Sequence, residues 1–399
     1  KGGGYSYKNE GKKDRQAASL HDLQVEIGKK KVALQSGLKW PDFKARYSHS
    51  YDEALRQVLW PPGKDPKVSG TAEQVDRVWN EIVLKHRRCF WIDGCAAPCV
   101  RDHKIHFAVR PGAVPVARQP IPVSPYDDLR VEYHIEENVV LGKLQKIDTV
   151  KEGMPEWSTP VFLVDQDAKG ILGRMVCAYG PVNRWLELPS FPSADPERAF
   201  RLMAGKHHHS VVDAIWGYTQ FALDEETQKL LVICSRSGLY RWLRMPFGPS
   251  PAPAHMQSYV AKAFGSLRDK DGEEFVSALM DDLKLSSPTF ERHLEHLHQL
   301  CLEAEKRGFE FKASKAQLNQ EKCEIWGMVG DARGIRPQKK QFDQLSKWPV
   351  PQSCQAVNSF LCFCNYLNEH LDPQWVEHER VIAPFRKKDA DFGPFLTDR

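Results

Sequence analysis

Hydrophobic spacing divides the chain into a polar beginning and a patterned remainder. From Thr71 the positions Val75, Val78, Trp79, Ile82 and Val83 recur at intervals of three and four, predicting an amphipathic helix. Ser124-Pro125 has the cap-then-proline order of a helix start, and the helix should run through Leu129 and Tyr133 toward Val140. The pattern then shortens to strands. Pro160 to Val164 is apolar, a charged glycine-containing turn follows from Asp165 to Gly173, and Arg174 to Cys177 reads as its partner strand. Further strands are expected at Ser210 to Ile215, Leu230 to Cys234 and Phe275 to Met280. Ser287-Pro288 reads as the cap of another helix, with Leu294, Leu297, Cys301 and Ala304 on one face and Gly308 placed to end it. Strands interrupted by helices with hairpins between them indicate an α+β fold.

Residues 1–70 lack this periodicity, and the breakers from Trp60 to Gly70 predict a polar arm followed by a linker. Net charge over the 399 residues is +4, but the first 50 carry 11 Lys/Arg against 5 Asp/Glu, so the rest is slightly acidic. Lys12-Lys13-Asp14-Arg15 and Lys29-Lys30-Lys31 could touch phosphates, although such runs are more often simply solvated. Charged residues break every apolar run well short of the roughly 20 residues that a spanning helix needs, which excludes a membrane-embedded protein of that kind. The opening Lys1-Gly2-Gly3-Gly4, without Met, suggests a slice of something longer. Ten scattered cysteines suit free thiols in an intracellular reducing compartment. Cys89, Cys95, Cys99 and His103 have gaps that match neither a zinc finger nor a knuckle and read as ordinary thiols. His207-His208-His209 alternate faces on a strand, while His293, His296 and His298 read as the solvated side of a helix. Trp40, Trp60, Trp79 and Trp91 read as core.

The residues that carry chemistry are acidic. Leu279-Met280-Asp281-Asp282-Leu283 predicts a hairpin with two adjacent carboxylates at its tip, and Asp213 ends an apolar strand 68 residues upstream. Like charges so placed repel unless a cation neutralises them, so divalent metal binding is the natural use; a solvated acidic turn is the bland alternative for the pair alone. Carboxylates from neighbouring strands that grip two metal ions are a standard device for in-line phosphoryl displacement.

The order Asp213, Met245-Pro246-Phe247-Gly248, Met280-Asp281-Asp282 resembles the palm of reverse transcriptases, those of gypsy-class LTR retrotransposons and retroviruses in particular. The similarity runs from about Ile105 to about Phe395. It takes in residues 155–161, Ala252-Pro253-Ala254, Gln257, Gly308 to Lys315, Trp326-Gly327, Gly334-Ile335, and Ser359-Phe360-Leu361 through Asn365-Tyr366.

This resemblance implies a right-hand architecture with a ferredoxin-like palm: an arm and linker at 1–70, an approach segment and fingers at 71–205, palm at 206–335 and thumb at 336–399. It implies an RNA-directed DNA polymerase, part of a retrotransposon polyprotein, that adds dNTPs to a primer 3′-hydroxyl on an RNA or DNA template. Asp213, Asp281 and Asp282 would be catalytic and hold two Mg²⁺ ions, or Mn²⁺. Arg174, Tyr218, Gln257 and Lys315 would meet the nucleotide, and Trp326, Gly327 and Tyr366 would meet the primer strand. The family also brings dimers with polyprotein products, and a cytoplasmic particle or the nucleus as location.

Several positions depart from the family pattern. Leu279 stands where the family has tyrosine. Asp165, Gln166 and Asp167, with only Lys169 nearby, replace a lysine-rich fingers turn and should repel a triphosphate. Pro249 and Pro251 follow Gly248, Ala178 and Gly180 replace an Asp and an Arg, and Cys362 replaces a thumb glycine. A second expectation follows: a degenerate or domesticated copy that binds nucleic acid or serves as a structural subunit.

Overall fold

The structure, a computed structural model, describes residues 20–37, 49–190 and 196–387, with 390 and 392. The Lys12 to Arg15 run and Trp40 lie outside these residues. The centre is a four-stranded antiparallel sheet ordered Val276–Leu279, Asp282–Ser287, His208–Asp213, Gln317–Gln320. Helix Ala252–Ala263 connects the first strand in sequence to the hairpin, and helix Phe290–Arg307 connects the hairpin to the last strand. This β-α-β-β-α-β path, with the fourth strand beside the first, is the ferredoxin-like arrangement. Leu283, Leu285, Leu294, Leu297 and Leu300 are buried between sheet and helix, in the largest hydrophobic core.

A five-stranded sheet is ordered Leu144–Lys146, Gly238–Trp242, Ile233–Ser235, Thr159–Val164, Arg174–Cys177, two of its strands coming from the chain between His208–Asp213 and Val276–Leu279. The hairpin expected between residues 160 and 177 forms, with Val164 opposite Arg174. Helix Pro125–Val140 begins as its sequence predicts, with the Ser124 hydroxyl accepting from the Asp127 amide. A three-stranded sheet, Lys322–Ile325, Met328–Asp331 and Gly334–Pro337, leads to helices Lys339–Ser346, Cys354–Tyr366 and Trp375–Ile382.

The structure corrects the reading in three places. Residues 49–59 are not a polar arm, and 60–70 are not a free linker. Tyr51, Leu55 and Leu59, one turn apart on helix His49–Leu59, are fully buried. The chain after them is stitched to the edge strand of the central sheet: the Ser69 amide donates to the Leu318 carbonyl (3.1 Å), and the Leu318 amide donates to Lys67 (2.7 Å). An otherwise open sheet edge is thereby covered. The breakers from Pro61 onward mark the bend between helix and edge cover. Helix Leu20–Gly37 also forms within the supposed arm, and its buried Leu23 packs with Tyr133 and Leu172.

The helix after the hairpin is capped by Thr289, not Ser287. Ser287 ends the strand, and its hydroxyl is taken by His293 Nδ1 and His296 Nδ1, both at 2.8 Å. His293 and His296 are therefore core residues, 0% and 2% exposed, rather than a solvated face.

The helix predicted from Thr71 is an α-turn, Ala72–Arg77, running into a π-helical turn, Val78–Val83. Thr71 and Gln74 form a reciprocal capping box. Thr71→Ala should cost about 1 kcal/mol of stability, measured by denaturant unfolding, because one orphan helix amide loses its acceptor.

Candidate functional site

Asp213 is the last residue of its strand and stands directly opposite Asp282, while Asp281 occupies the adjoining turn. The Ala214 amide donates to the Asp281 carbonyl at 2.7 Å, closing the two segments on each other. Three carboxylates thus lie at one end of two paired strands. Among the described residues no three His, Cys, Asp or Glu side chains already converge as a metal cluster. The cation that is present is a lysine: Lys315 Nζ donates to both carboxylate oxygens of Asp213, at 2.9 and 2.8 Å. Burial pushes the Asp213 pKa up; Lys315 pulls against this, while the charges of Asp281 and Asp282 add to it. Burial disfavours the Lys315 ammonium, but the bond to Asp213 outweighs it and raises the lysine pKa. A half-buried carboxylate with two acidic neighbours and hard oxygen donors suits a divalent ion.

The hairpin turn needs support because Met280 has φ 52°, a left-handed conformation that costs a non-glycine residue about 1 kcal/mol or more. Gln257, buried on helix Ala252–Ala263, supplies it. Its Oε1 accepts from the Met280 amide (2.6 Å) and its Nε2 donates to the Ala278 carbonyl (3.0 Å). Both ends of this amide are occupied by the protein's own backbone. Gln257→Met, which removes both bonds while keeping the volume, should loosen the turn that carries Asp281, measured as roughly tenfold faster amide hydrogen exchange at residues 278–282.

Tyr218 lies five residues beyond Asp213. Its hydroxyl pKa is raised, first by burial and then by the charge of Asp281. Phe247 packs edge-on to Tyr218, ring centroids 4.8 Å apart, and the Arg174 guanidinium sits 4.8 Å from the centre of the Phe247 ring. Phe247 therefore joins Arg174 to the tyrosine beside the aspartates. Its unusual exposure for a phenylalanine, 47%, was invisible to the sequence reading, which took it only as part of a motif.

The acidic turn after Val164 is less repulsive than its sequence suggests. Asp165 is paired with Arg130, whose side chain is 6% exposed, at 2.6 Å. A second nitrogen of that arginine holds Asp127 at 2.9 Å. The side chains of residues 167–169 lie outside the described set.

Trp326 and Gly327 form the tip of a separate hairpin with φ 48° and 82°, and the Tyr366 hydroxyl donates to the Trp326 carbonyl. The link between the two hairpins is Lys284, a buried strand lysine missed by the sequence reading, whose ammonium donates to the Glu324 carbonyl at 2.6 Å. Its signal was a charged residue between Leu283 and Leu285, in a strand buried on both faces.

Residues 172–329 match the family described as reverse transcriptase (RNA-dependent DNA polymerase). The chain carries a reverse transcriptase domain. The matched span holds every site residue above except Asp127, Arg130, Asp165 and Tyr366. Beyond this domain, similarity extends to an uncharacterized Caenorhabditis elegans protein, 29% identical over 290 residues, covering 71% of this chain and 22% of that one. The retrovirus-related Pol polyprotein from transposon 412 of Drosophila melanogaster is 24% identical over 63% of this chain and 20% of its own length. The enzymatic polyprotein of cauliflower mosaic virus is 25% identical over 63% of the chain and 36% of its own length. The chain thus spans between a fifth and two fifths of these relatives. Among solved structures, a foamy viral protease-reverse transcriptase in complex with double-stranded DNA superposes with TM-score 0.68 at 16% identity, covering 83% of this chain and 55% of that one. The same viral protein in complex with an RNA/DNA hybrid gives 0.65, at 16% identity, over 85% of this chain and 43% of that one. The reverse transcriptase domain accordingly has the right-hand polymerase fold, with the ferredoxin-like sheet as its palm.

Proposed function

We propose that the chain is an RNA-directed DNA polymerase that extends a primer 3′-hydroxyl with dNTPs. The observation that carries this is the register of Asp213 against Asp282, with Asp281 in the adjoining turn and a cation already drawn onto Asp213. Asp213 and Asp281, supported by Asp282, would hold Mg²⁺. When bound, divalent ions supply charge neutralisation to a triphosphate and lower the pKa of an attacking hydroxyl.

The chain's own residues supply the rest. Arg174, oriented by the Phe247 ring, is placed to pair with triphosphate oxygens, a task suited to a planar multidentate donor. Tyr218 presents its ring beside the aspartates, where it would exclude a ribose 2′-hydroxyl. Lys315 keeps its proton through Asp213 and is placed to give it to the leaving pyrophosphate. Gln257 positions Asp281 through the turn rather than by touching substrate. Trp326, Gly327 and Tyr366 offer a tip against which the primer strand would lie, on the thumb side of the palm. Template-primer would bind through phosphates and stacking, with strong salt dependence and little sequence preference.

Primer extension on an RNA template with dNTPs and Mg²⁺ tests the reading. Template-directed product is expected, and Tyr218→Ala should admit ribonucleotides at least tenfold more readily by opening the face beside the sugar. Salt-sensitive duplex binding without any extension would instead establish the non-catalytic nucleic-acid-binding role.

A further inference from the structure

Lys143 has no part in the chemistry above, yet it is 4% exposed and its ammonium lies 3.3 Å from the centre of the Trp216 ring. Trp91 packs against that indole as well, with centroids 4.8 Å apart at 59°. The ring thus meets both a cation and a second indole. Trp216 itself has φ 48°, a strained conformation for a bulky residue, and begins the short 3-10 turn Gly217–Gln220. Its carbonyl accepts from both the amide and the hydroxyl of Thr219, at 2.7 and 3.2 Å.

This turn is tight against the catalytic hairpin. A Cβ at Gly217 would lie 2.6 Å from Met256 Cε and 3.4 Å from Asp281 Cβ. A shift of Trp216 would therefore be passed to its neighbours Gly217, which abuts Asp281, and Tyr218. The Lys143 backbone is anchored independently, since its carbonyl accepts from the Leu243 amide at 2.8 Å. The charged groups that bear on Lys143 are Glu137, from the helix before it, and Arg244, beyond the strand paired with its own. Burial pushes Lys143 down to about 7, Glu137 opposes this, and Arg244 adds to it. The ring face of Trp216 favours the ammonium, as a desolvated cation on an indole should.

We propose that Lys143 is a positioning residue for nucleotide selection: seated on Trp216, it holds the left-handed turn that presents Tyr218 and spaces that turn from Asp281. The inference rests on the polymerase reading of Tyr218 and Asp281, and deepens it. No contact between Lys143 and substrate is implied, because the lysine is covered by the indole it supports.

The test compares the wild-type chain with Lys143→Met, which keeps the length and removes the charge, and Lys143→Arg, which restores a cation. Amide hydrogen exchange of residues 214–221 is read beside kcat and KM for dNTP and for the matching rNTP. Lys143→Met should speed exchange in the turn, lower kcat with little change in template-primer affinity, and cut dNTP-over-rNTP selectivity about tenfold; Lys143→Arg should recover most of it. Turn exchange unchanged in Lys143→Met overturns the proposal. So does faster exchange with selectivity and kcat intact, which would leave the lysine a purely structural role. Should the wild type extend no primer, the polymerase reading fails by itself, and the exchange comparison still upholds or overturns the Lys143 clamp.

Discussion

Asp281→Ala is expected to abolish templated primer extension, by about a thousandfold or more, while leaving the fold intact. The carboxylate is exposed at the tip of the hairpin, and the contact that this residue makes with the neighbouring strand is through its backbone carbonyl, which alanine retains. Thermal unfolding should therefore shift by no more than a few degrees. The activity should not survive, because neutralising a triphosphate at this site depends on carboxylates that hold divalent ions, and losing a ligand removes several kcal/mol of charge stabilisation, with each factor of ten about 1.4 kcal/mol. Asp165→Ala is the matched control. It also removes an exposed acid, but one neutralised by Arg130, which keeps Asp127 as a partner. Extension by that variant should stay within about twofold of wild type, as for surface changes away from a site. Equal loss in both variants, or activity retained in Asp281→Ala, would remove the basis for assigning the site to the aspartates.

The second large effect is acid lability in a defined window. Beneath the central sheet His209 bonds Ser286 at 2.8 Å, His293 bridges Ser210 and Ser287, and His296 stacks on Phe275 with ring centroids 4.0 Å apart. Burial pushes His209 and His296 down to about 4, and pushes His293 well down as well. In the unfolded chain these rings protonate near 6.5; in the folded chain they resist until far lower pH. As pH falls below 6.5 the unfolded state takes up protons that the folded state refuses, so stability declines until about pH 4. The slope approaches about 1.4 kcal/mol per pH unit for each histidine. Carboxylates held low by partners, such as Asp331 with Arg336 at about 2, lose their contribution only below this window. Unfolding midpoints measured from pH 7.5 to 4 should fall steeply from about 6.5 downward, and His209→Gln should flatten that slope whatever it does to stability at pH 7.5. A midpoint that is level down to pH 5 would show that the rings are not held neutral.

Much of the part that carries the three aspartates was readable from residue order. The hairpin at 276–287, the lone Asp213 at a strand end and the 160–177 hairpin all follow from period-two apolar runs broken by turn residues, which are local rules. The same reasoning misread what depends on distant partners. Residues 60–70 looked like a linker because breakers such as Pro61, Pro62 and Gly63 punctuate them, whereas Lys67 and Ser69 bond Leu318, some 250 residues away. His293 looked solvated because nothing local shows that Ser210, 83 residues earlier, would bond it beneath the sheet. Asp165 looked hostile to a triphosphate until Arg130, 35 residues earlier, was placed on it.

By itself, then, the sequence determined the order of elements and the identity of the three carboxylates, since both depend on side-chain periodicity and on chemistry that no other residue type supplies. The tertiary structure alone decided how those carboxylates are served. It set Asp213 opposite Asp282, gave Asp213 its lysine, fastened the strained Met280 turn with Gln257, and seated Lys143 under Trp216. Each of these joins residues tens to over a hundred positions apart, at distances within which hydrogen bonds and charges act, and only packing brings such pairs together.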